Sequence, residues 1–225
     1  LSSGMRRAGF DIKAAVEINP YAAATYKINN PTTEVFQCDI KNLSPEELKA
    51  CIGNERLHLL AGCPPCQGFS SIRRLNGSNV RDKRNNLLLD FLNFIDSIRP
   101  LTVMMENVPG MTKYYLFPKF LRKLKQFGYH VSYDVVDMKD YGIPQKRKRL
   151  VLVASLLGDI DIQKPTGERT TVRDAIGNLE PVNVTDDPLH KITVKHTDRI
   201  ADMIALIPQN GGSRNALPAD YTLKC

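Results

Sequence analysis

The sequence predicts an α/β fold with a mainly parallel sheet, on three observations. Short β-rich runs alternate with helical stretches through the first 155 residues or so. Polar residues follow several predicted strands, where ligands bind in parallel α/β sheets. The chain has 225 residues, of which 42% are hydrophobic and 24% charged, a composition typical of a globular protein with a buried core. The longest apolar runs, such as residues 150–157, are too short to span a bilayer, so we expect no membrane-embedded segment.

The pattern of β-rich and helical stretches gives the elements in order. Strands are predicted at residues 12–16, 34–36, 57–61, 101–105, 130–136 and 150–154. Helices are predicted at residues 2–8, 20–28 and 85–98, where the residues fit a helical period. Another helix should begin after Ser44, because serine is a good N-cap and Pro45 suits the first turn.

The character of the chain changes after residue 155. Turn-forming clusters at residues 186–188 and 209–213 replace the periodic pattern, which indicates a linker that enters a loop-rich region. We therefore predict a main domain at residues 1–164 and the beginning of a second, smaller region at residues 165–225. Since the chain begins beside a helix without a preceding strand, and stops without a closing element, we expect both ends to be incomplete.

The net charge and the cysteines indicate the kind of partner and the redox compartment of the protein. A net charge of +7 and a pI near 9.2 favour a polyanionic partner such as nucleic acid, although a basic balance also suits a merely well-solvated surface. Five cysteines form an odd number without the spacing of a disulfide framework. We therefore expect a reducing compartment and free thiols, one of which is reactive.

Chemically useful side chains follow the predicted strands. Glu17 follows the first strand, Asp39 follows the next, and the pair Glu106-Asn107 follows the fourth. Because the carboxyl ends of parallel strands share one edge of a sheet, these groups should gather around a ligand. A carboxylate at a strand end also serves as a turn or helix cap, and for Glu17 or Asp39 taken singly the sequence leaves both readings open.

The loop at residues 62–70 carries the sharpest pattern, Gly-Cys-Pro-Pro-Cys-Gln-Gly-Phe-Ser. Its two prolines restrict the backbone, so the loop can present Cys66 rigidly at the sheet edge. The Cys63-x-x-Cys66 spacing also suits half a zinc site, but no second cysteine pair exists and the four histidines lack the spacing, so we expect no metal. A redox dithiol stays a minor alternative, and Cys63 is otherwise expected to be inert.

This loop resembles the nucleophile motif of DNA cytosine-5 methyltransferases. Further segments follow in that family's order, at residues 82–85, 106–108 and 141–149, and the resemblance covers residues 1–155. It implies a Rossmann-like S-adenosylmethionine-dependent methyltransferase fold whose N-terminal glycine loop and closing asparagine motif are missing. Residues 165–225 would then be a linker and the start of a smaller target-recognition region, with residues 199–218 as its opening.

The resemblance also implies roles for individual residues. Cys66 would attack cytosine, while Glu106, held protonated in a dry pocket, would donate to the base nitrogen N3. Arg149 would lie on the O2 side of the base, and Arg147 would contact phosphate and orient Glu106. Asn107 would steady the loop and lie among the DNA contacts. The other implied DNA contacts are Gln67, Ser70, Arg73 and Arg84, and the implied cofactor contacts are Glu17, Ile18, Asp39, Ile40, Pro65 and Leu87.

The function implied is methyl transfer from S-adenosylmethionine to C5 of a flipped-out cytosine in double-stranded DNA. The compact motif spacing resembles bacterial restriction-modification enzymes, which implies a monomeric protein of the bacterial cytoplasm, associated with the nucleoid. One alternative is the tRNA-methylating branch of the family, whose Cys-Phe-Thr signature is absent here. The others are a catalytically inactive regulator, against which the intact Cys66 and Glu106 argue, and a dithiol oxidoreductase.

Overall fold

The computed structural model describes residues 1–65, 87–192, 194–209 and 211–221. By its internal contacts the chain divides into two compact units, Leu1–Thr170 and Thr171–Cys225. All the strands found in the described residues belong to the first unit, together with every side chain of the candidate site.

In the part of the first unit that the structure describes, six strands form two sheets. They are β1 (Ala14–Val16), β2 (Glu34–Phe36), β3 (Leu59–Gly62), β4 (Thr102–Asn107), β5 (His130–Asp137) and β6 (Lys148–Ser155). β1 and β2 pair in parallel, and the other strands form a sheet of order β3-β4-β6-β5. In that sheet β3, β4 and β5 run in one direction and β6 alone is reversed. The prediction of an α/β fold with mainly parallel strands is confirmed.

Two strand boundaries differ from the prediction in a way that matters for the site. Glu106 and Asn107 are the last two residues of β4 rather than the residues after it, and Arg149 lies inside β6. The reason is that pairing with β6 extends β4 by two residues, since Asn107 lies opposite Leu150 and Glu106 opposite Val151. A strand partner holds the backbone of these residues, so their side chains project from a sheet and not from a loop.

In the described residues of the first unit, the α-helices are α1 (Ser2–Arg7), α2 (Pro20–Asn29), α3 (Pro45–Ile52), α4 (Leu87–Ile98) and α5 (Phe117–Gln126). The helix predicted after Ser44 is confirmed, and the Ser44 and Glu47 side chains bond each other's backbone N–H groups in a capping box. α5 was not among the helices predicted individually. It buries Phe117, Phe120 and Leu124, one stripe of an otherwise polar sequence.

The main hydrophobic core holds α4 and α5 against the four-stranded sheet. From the helices, Phe91, Ile95 and Phe120 enter a cluster that also contains alternate residues of the central strands, among them Met105 and Leu152. A second cluster joins Leu43, Leu48 and Phe94 to residues of β1, β2 and β3. The two clusters share α4, so this helix ties the β1-β2 pair to the strands that carry the site.

The second unit, described by itself, contains helical turns and no strand in the residues that the structure describes. Its helices are α6 (Val172–Ile176), which begins with a Thr171–Asp174 capping box, and α7 (Asp198–Ala205). Met203 and Thr185 are buried, whereas Leu189 and Val194 are among many exposed apolar side chains. This fits the predicted loop-rich character of the region.

Candidate active site

A cavity of about 190 Å³ opens at the carboxyl end of β3 and β4. Three chain segments line it, namely the residues after β3, the end of β4 and the chain entering β6. The lining residues are Cys63, Pro64, Pro65, Glu106, Asn107, Val108, Arg147 and Arg149. Of the residues singled out in the sequence, the structure thus brings together Pro65, Glu106, Asn107, Arg147 and Arg149.

Strand register places these side chains. Gly62, the last residue of β3, pairs with Met105, so the next residues on the two strands, Cys63 and Glu106, emerge side by side. On the other side of β4, Glu106 lies opposite Val151 of the antiparallel β6. Arg149 is two residues from Val151 and therefore projects from the same face as Glu106, in the diagonal position where long side chains meet across a sheet.

Glu106 and Arg149 form an ion pair in this diagonal position. Arg149 Nε lies 2.8 Å from Glu106 Oε1, with the side chains 19% and 33% exposed. One expectation is corrected here. Arg149, and not Arg147, pairs with Glu106, because β6 pairing carries Arg149 onto the Glu106 face while Arg147 lies just outside the strand.

Asn107 joins β4 to the cysteine loop. Its Nδ2 donates to the Pro64 carbonyl oxygen at 2.8 Å, and its Oδ1 accepts from the Val108 N–H at 2.9 Å. The residue is only 5% exposed. Asn107 therefore ties the end of β4 to the loop that contains Pro64, and its expected contact with DNA stays a prediction.

Cys63 is chemically coupled to Glu106. The pKa of the Cys63 thiol is raised, first by desolvation in the surrounding protein and then by the Glu106 carboxylate charge. A raised pKa favours the neutral thiol, and the inertness expected of Cys63 stays a prediction. Its contact with the candidate acid was not anticipated, although the strand pairing that produces it follows from two adjacent parallel strands.

Gly62 permits a close approach of α4 to β3. A Cβ at this position would lie 2.6 Å from the nearest atom of the Phe91 ring, well inside contact distance. Phe91 is 5% exposed and belongs to the main core. The glycine that opens the Gly-Cys-Pro-Pro-Cys pattern therefore lets the core helix pack directly beneath the loop.

Asp137 holds the chain that carries the two arginines. Its Oδ1 accepts the Arg147 N–H at 3.2 Å, and the Arg147 carbonyl accepts the Met138 N–H at 2.9 Å. The Asp137 side chain is 8% exposed. Sequence reasoning missed this residue, whose only indication was its place between the fifth predicted strand and the segment at residues 141–149.

The predicted cofactor residues at the end of β1 and β2 lie at one edge, because these strands pair in parallel. Glu17 Oε1 accepts the Asn19 N–H at 2.8 Å, and Asp39 Oδ1 accepts the Lys41 N–H at 3.0 Å. Each carboxylate thus uses one oxygen to cap the backbone beside it, which is one of the two roles that the sequence left open. Ile18 beside them is 64% exposed, an apolar side chain left in solvent.

The other predicted cofactor residues lie elsewhere. Ile40 is partly buried and packs against the second hydrophobic cluster, and its contact with the cofactor stays a prediction. Pro65 lines the cavity, and Leu87 begins α4 half-buried. Cys66, Gln67, Ser70, Arg73 and Arg84 lie outside the described residues.

The side chains of the described ranges limit the class of site. Among these residues, no cluster of three or more histidine, cysteine, aspartate or glutamate side chains is arranged to hold a metal ion. In the same part of the chain, no helix has the length and apolar character needed to cross a membrane. Among the described residues, the cavity is lined by the Glu106 carboxyl group, the guanidinium groups of Arg147 and Arg149, and the Cys63 thiol.

Comparison with known proteins places the chain in a family. The family model described as C-5 cytosine-specific DNA methylase matches residues 1–215. The type II methyltransferase M1.HphI of Haemophilus parahaemolyticus is 32% identical over 228 aligned residues, which include 96% of this chain and 60% of that protein. The type II methylase M.HgiDII of Herpetosiphon aurantiacus is 37% identical, over 80% of this chain and 51% of that protein.

A solved structure agrees with these relatives. The crystal structure of a protein described as a DNA modification methyltransferase, encoded within an E. coli prophage, matches with a TM-score of 0.66 and 32% identity. The match covers 78% of this chain and 50% of that one. The chain therefore spans between half and 60% of the length of these relatives.

Proposed function

Because the chain belongs to the C-5 cytosine-specific DNA methylase family, we propose that it transfers a methyl group from S-adenosylmethionine to C5 of cytosine in DNA. One observation carries the proposal. The Cys63-Pro64-Pro65 loop, Glu106 and Arg149 meet in one cavity, and Cys66 is the next residue in the chain after Pro65. A candidate nucleophile, a carboxyl group and a guanidinium are thereby available to a single bound base.

The chemistry requires a nucleophile because C5 of cytosine is itself a poor one. The Cys66 thiolate adds to C6 and forms an S–C6 bond, and the electron pair displaced from the ring double bond makes C5 electron-rich. C5 would then form a bond to the methyl carbon of S-adenosylmethionine as the S–CH3 bond breaks, and the cofactor would leave as a neutral thioether. Loss of the C5 proton re-forms the ring double bond and expels the thiolate, which restores the enzyme.

Glu106 and Arg149 act on the base during this attack. In this proposal Glu106 carries a proton when the base is bound and donates its O–H to the ring nitrogen N3, where negative charge would otherwise develop, and Arg149 lies on the side of the O2 oxygen. The ion pair between them supports this assignment, since it aims the carboxyl group into the cavity and locks the guanidinium beside it. Arg147, which lines the same cavity, is assigned to a phosphate.

The cofactor, when bound, supplies an electrophilic methyl group on a positively charged sulfur. Residues at the edge formed by β1 and β2 suit such a ligand, because Glu17 and Asp39 offer carboxylate oxygens to hydroxyl or amino groups and exposed Ile18 offers an apolar surface to a ring. Pro65 lies between this edge and the cavity in our assignment, and Leu87 adds apolar contact. Ile40 contributes through its backbone position alone.

The substrate is double-stranded DNA, from which the target cytosine must be flipped because the ring faces cannot be reached inside a stacked duplex. We assign backbone and pocket contacts to Gln67, Ser70, Arg73 and Arg84, and target recognition to a region that begins within residues 165–225. The type II relatives support a role in a bacterial restriction-modification system. We further propose that the protein is a monomer that acts on the nucleoid in the cytoplasm.

Trapping on DNA that contains 5-fluorocytosine tests the proposal. Fluorine at C5 cannot leave as a cation, so the step that releases the thiol is blocked and a covalent adduct accumulates when S-adenosylmethionine is present. The adduct should survive denaturation, disappear in Cys66→Ala and persist in Cys63→Ala. An adduct that mass spectrometry maps to Cys63, or the absence of any adduct on duplexes that include the methylated site, would overturn this function.

A further inference from the structure

α5 carries a strongly basic face that the proposed chemistry does not use. Between Glu106 and Asp134 the sequence contains no acidic residue. Five exposed cations fall in this stretch, one at the end of the helical turn before α5 and four on α5 itself. We call them together the α5 basic face: Lys113, Lys119, Arg122, Lys123 and Lys125. Within the described ranges, none of the ion pairs involves any of these five.

The fold holds this face toward solvent. Lys119, Arg122 and Lys123 are spaced by three and four residues, so they project from one side of the helix. The opposite side is anchored, since Phe120 and Leu124 are fully buried in the main core. Like charges four residues apart destabilise a helix, and a bound polyanion would relieve this repulsion.

The α5 basic face starts at the edge of the active site. β4 ends at Asn107 in the cavity, and the helical turn Pro109–Lys113 that follows leads into α5. Ser155 of β6 pairs with Thr102 at the start of β4 and with His130 at the start of β5. β5 therefore begins at the end of the sheet opposite the cavity. The 10 residues of α5 thus run away from the cavity along the domain, over about 15 Å.

We propose that the α5 basic face binds the sugar-phosphate backbone of duplex DNA beside the target cytosine. The proposal rests on the proposed function and adds a contact surface to it. A row of cations that leads away from the cavity matches the regular row of phosphates that leads away from a flipped base. Exposed Tyr115, 75% accessible between Lys113 and Lys119, adds an aromatic side chain of the kind that contacts sugars and phosphates.

A membrane surface fits the same charges less well. An interfacial helix needs large apolar side chains free to enter the lipid, but those of α5 are committed to the protein core, with Phe117 only 2% and Phe120 0% exposed. A polyanion that needs only charge at the surface is therefore favoured over a lipid bilayer.

The test compares two variants of the protein that lose equal charge. In one, Lys119, Arg122 and Lys123 are changed together to glutamine. In the matched control, three exposed cations elsewhere in the first unit, none in a described ion pair, are changed to glutamine: Arg7, Arg56 and Lys164. Binding to a duplex with the methylated site and to an unrelated duplex is measured by fluorescence anisotropy over a series of salt concentrations.

The α5 variant should lose affinity for both duplexes by a similar factor, because interactions with the DNA backbone carry no sequence information. The slope of log binding constant against log salt should become shallower by about 0.9 for each phosphate that the variant no longer neutralises. The control variant should keep the wild-type slope within about 0.5. A charge-preserving variant, Lys119→Arg with Arg122→Lys and Lys123→Arg, should also keep it.

Two results would overturn the inference while leaving methyl transfer intact. One is a salt slope of the α5 variant that equals that of the control. The other comes from a parallel binding assay with phosphatidylcholine–phosphatidylserine vesicles, if the α5 variant loses binding to the vesicles and keeps its binding to DNA. A wild-type protein that neither binds nor methylates DNA would overturn the proposed function and this inference together. Thermal unfolding of all variants checks that the exposed substitutions leave the fold unchanged.

Discussion

Arg149 Nε lies 2.8 Å from Glu106 Oε1, across the diagonal of the β4–β6 pair. Strand pairing sets both the face of the sheet from which the two side chains project and the distance between them. Two loop residues would not be held in this geometry. The ion pair therefore links Glu106, the candidate acid, to β6, the strand that begins within the segment at residues 141–149.

Arg149→Gln should lower turnover by about 100-fold, since it removes a preorganised cation from the site of charge development. Arg149→Lys should retain part of the activity, because lysine keeps the charge but loses the planar guanidinium geometry. Steady-state and single-turnover methylation rates measure the effect, and calorimetry with S-adenosylmethionine should show unchanged affinity. Loss of cofactor binding with normal turnover at saturation would contradict the assignment.

Glu17→Ala should weaken S-adenosylmethionine binding by about 1.5 to 3 kcal/mol, the usual contribution of hydrogen bonds to a charged group. The matched control is Glu34→Ala, an exposed carboxylate at the other end of the β1-β2 pair. Calorimetry on both variants checks the prediction. Equal affinities of the two would assign Glu17 to its local bond with Asn19 alone.

Asn107→Ala should destabilise the protein by about 1 to 3 kcal/mol, because the Pro64 carbonyl and the Val108 N–H lose a buried partner. Asn93→Ala on the exposed side of α4 is the control and should change stability by less than about 0.5 kcal/mol. Urea unfolding measures both. A neutral Asn107→Ala would mean that water replaces the side chain and that the loop does not depend on it.

Gly62→Ala should cost about 1 to 3 kcal/mol, as expected for overpacking against a core ring. In a Phe91→Leu background the penalty should be smaller, since the clash is with the ring, and a double-mutant cycle measures this coupling. Gly4→Ala, where a Cβ meets no atom within 4 Å, serves as the control. Additive costs at Gly62 and Phe91 would disprove the clash with the ring as the cause.

Cys63 should react slowly with iodoacetamide below pH 9, because its pKa is raised above the ordinary value of 9.0 and the thiolate fraction is small. Glu106→Gln removes the carboxylate charge, so the pKa of Cys63 should fall and alkylation at a fixed pH should accelerate. Cys51, whose raised pKa comes from burial and Glu34, should not respond. Peptide mapping in a Cys66→Ser background resolves the two thiols, and an unchanged Cys63 rate would contradict the coupling.

The β-rich runs located each strand of the described residues to within a few residues, because the preference for strand is a property of local residue type. Strand ends were less predictable. Glu106 and Asn107 belong to β4 only because β6, some forty residues later, supplies backbone partners for them. The same dependence on distant chain explains why Asp137, which holds the Arg147 backbone, was not recognised.

The sequence by itself determined the fold class, the family resemblance and the types of reactive group, since each depends on local patterns of residue type and order. The tertiary structure decided which groups meet. It paired Glu106 with Arg149 instead of Arg147, buried Asn107 against Pro64, and coupled Cys63 to Glu106. The physical reason is that hydrogen bonds and ion pairs depend on distances of a few ångströms between segments far apart in the chain, and those distances are set by strand register and helix packing.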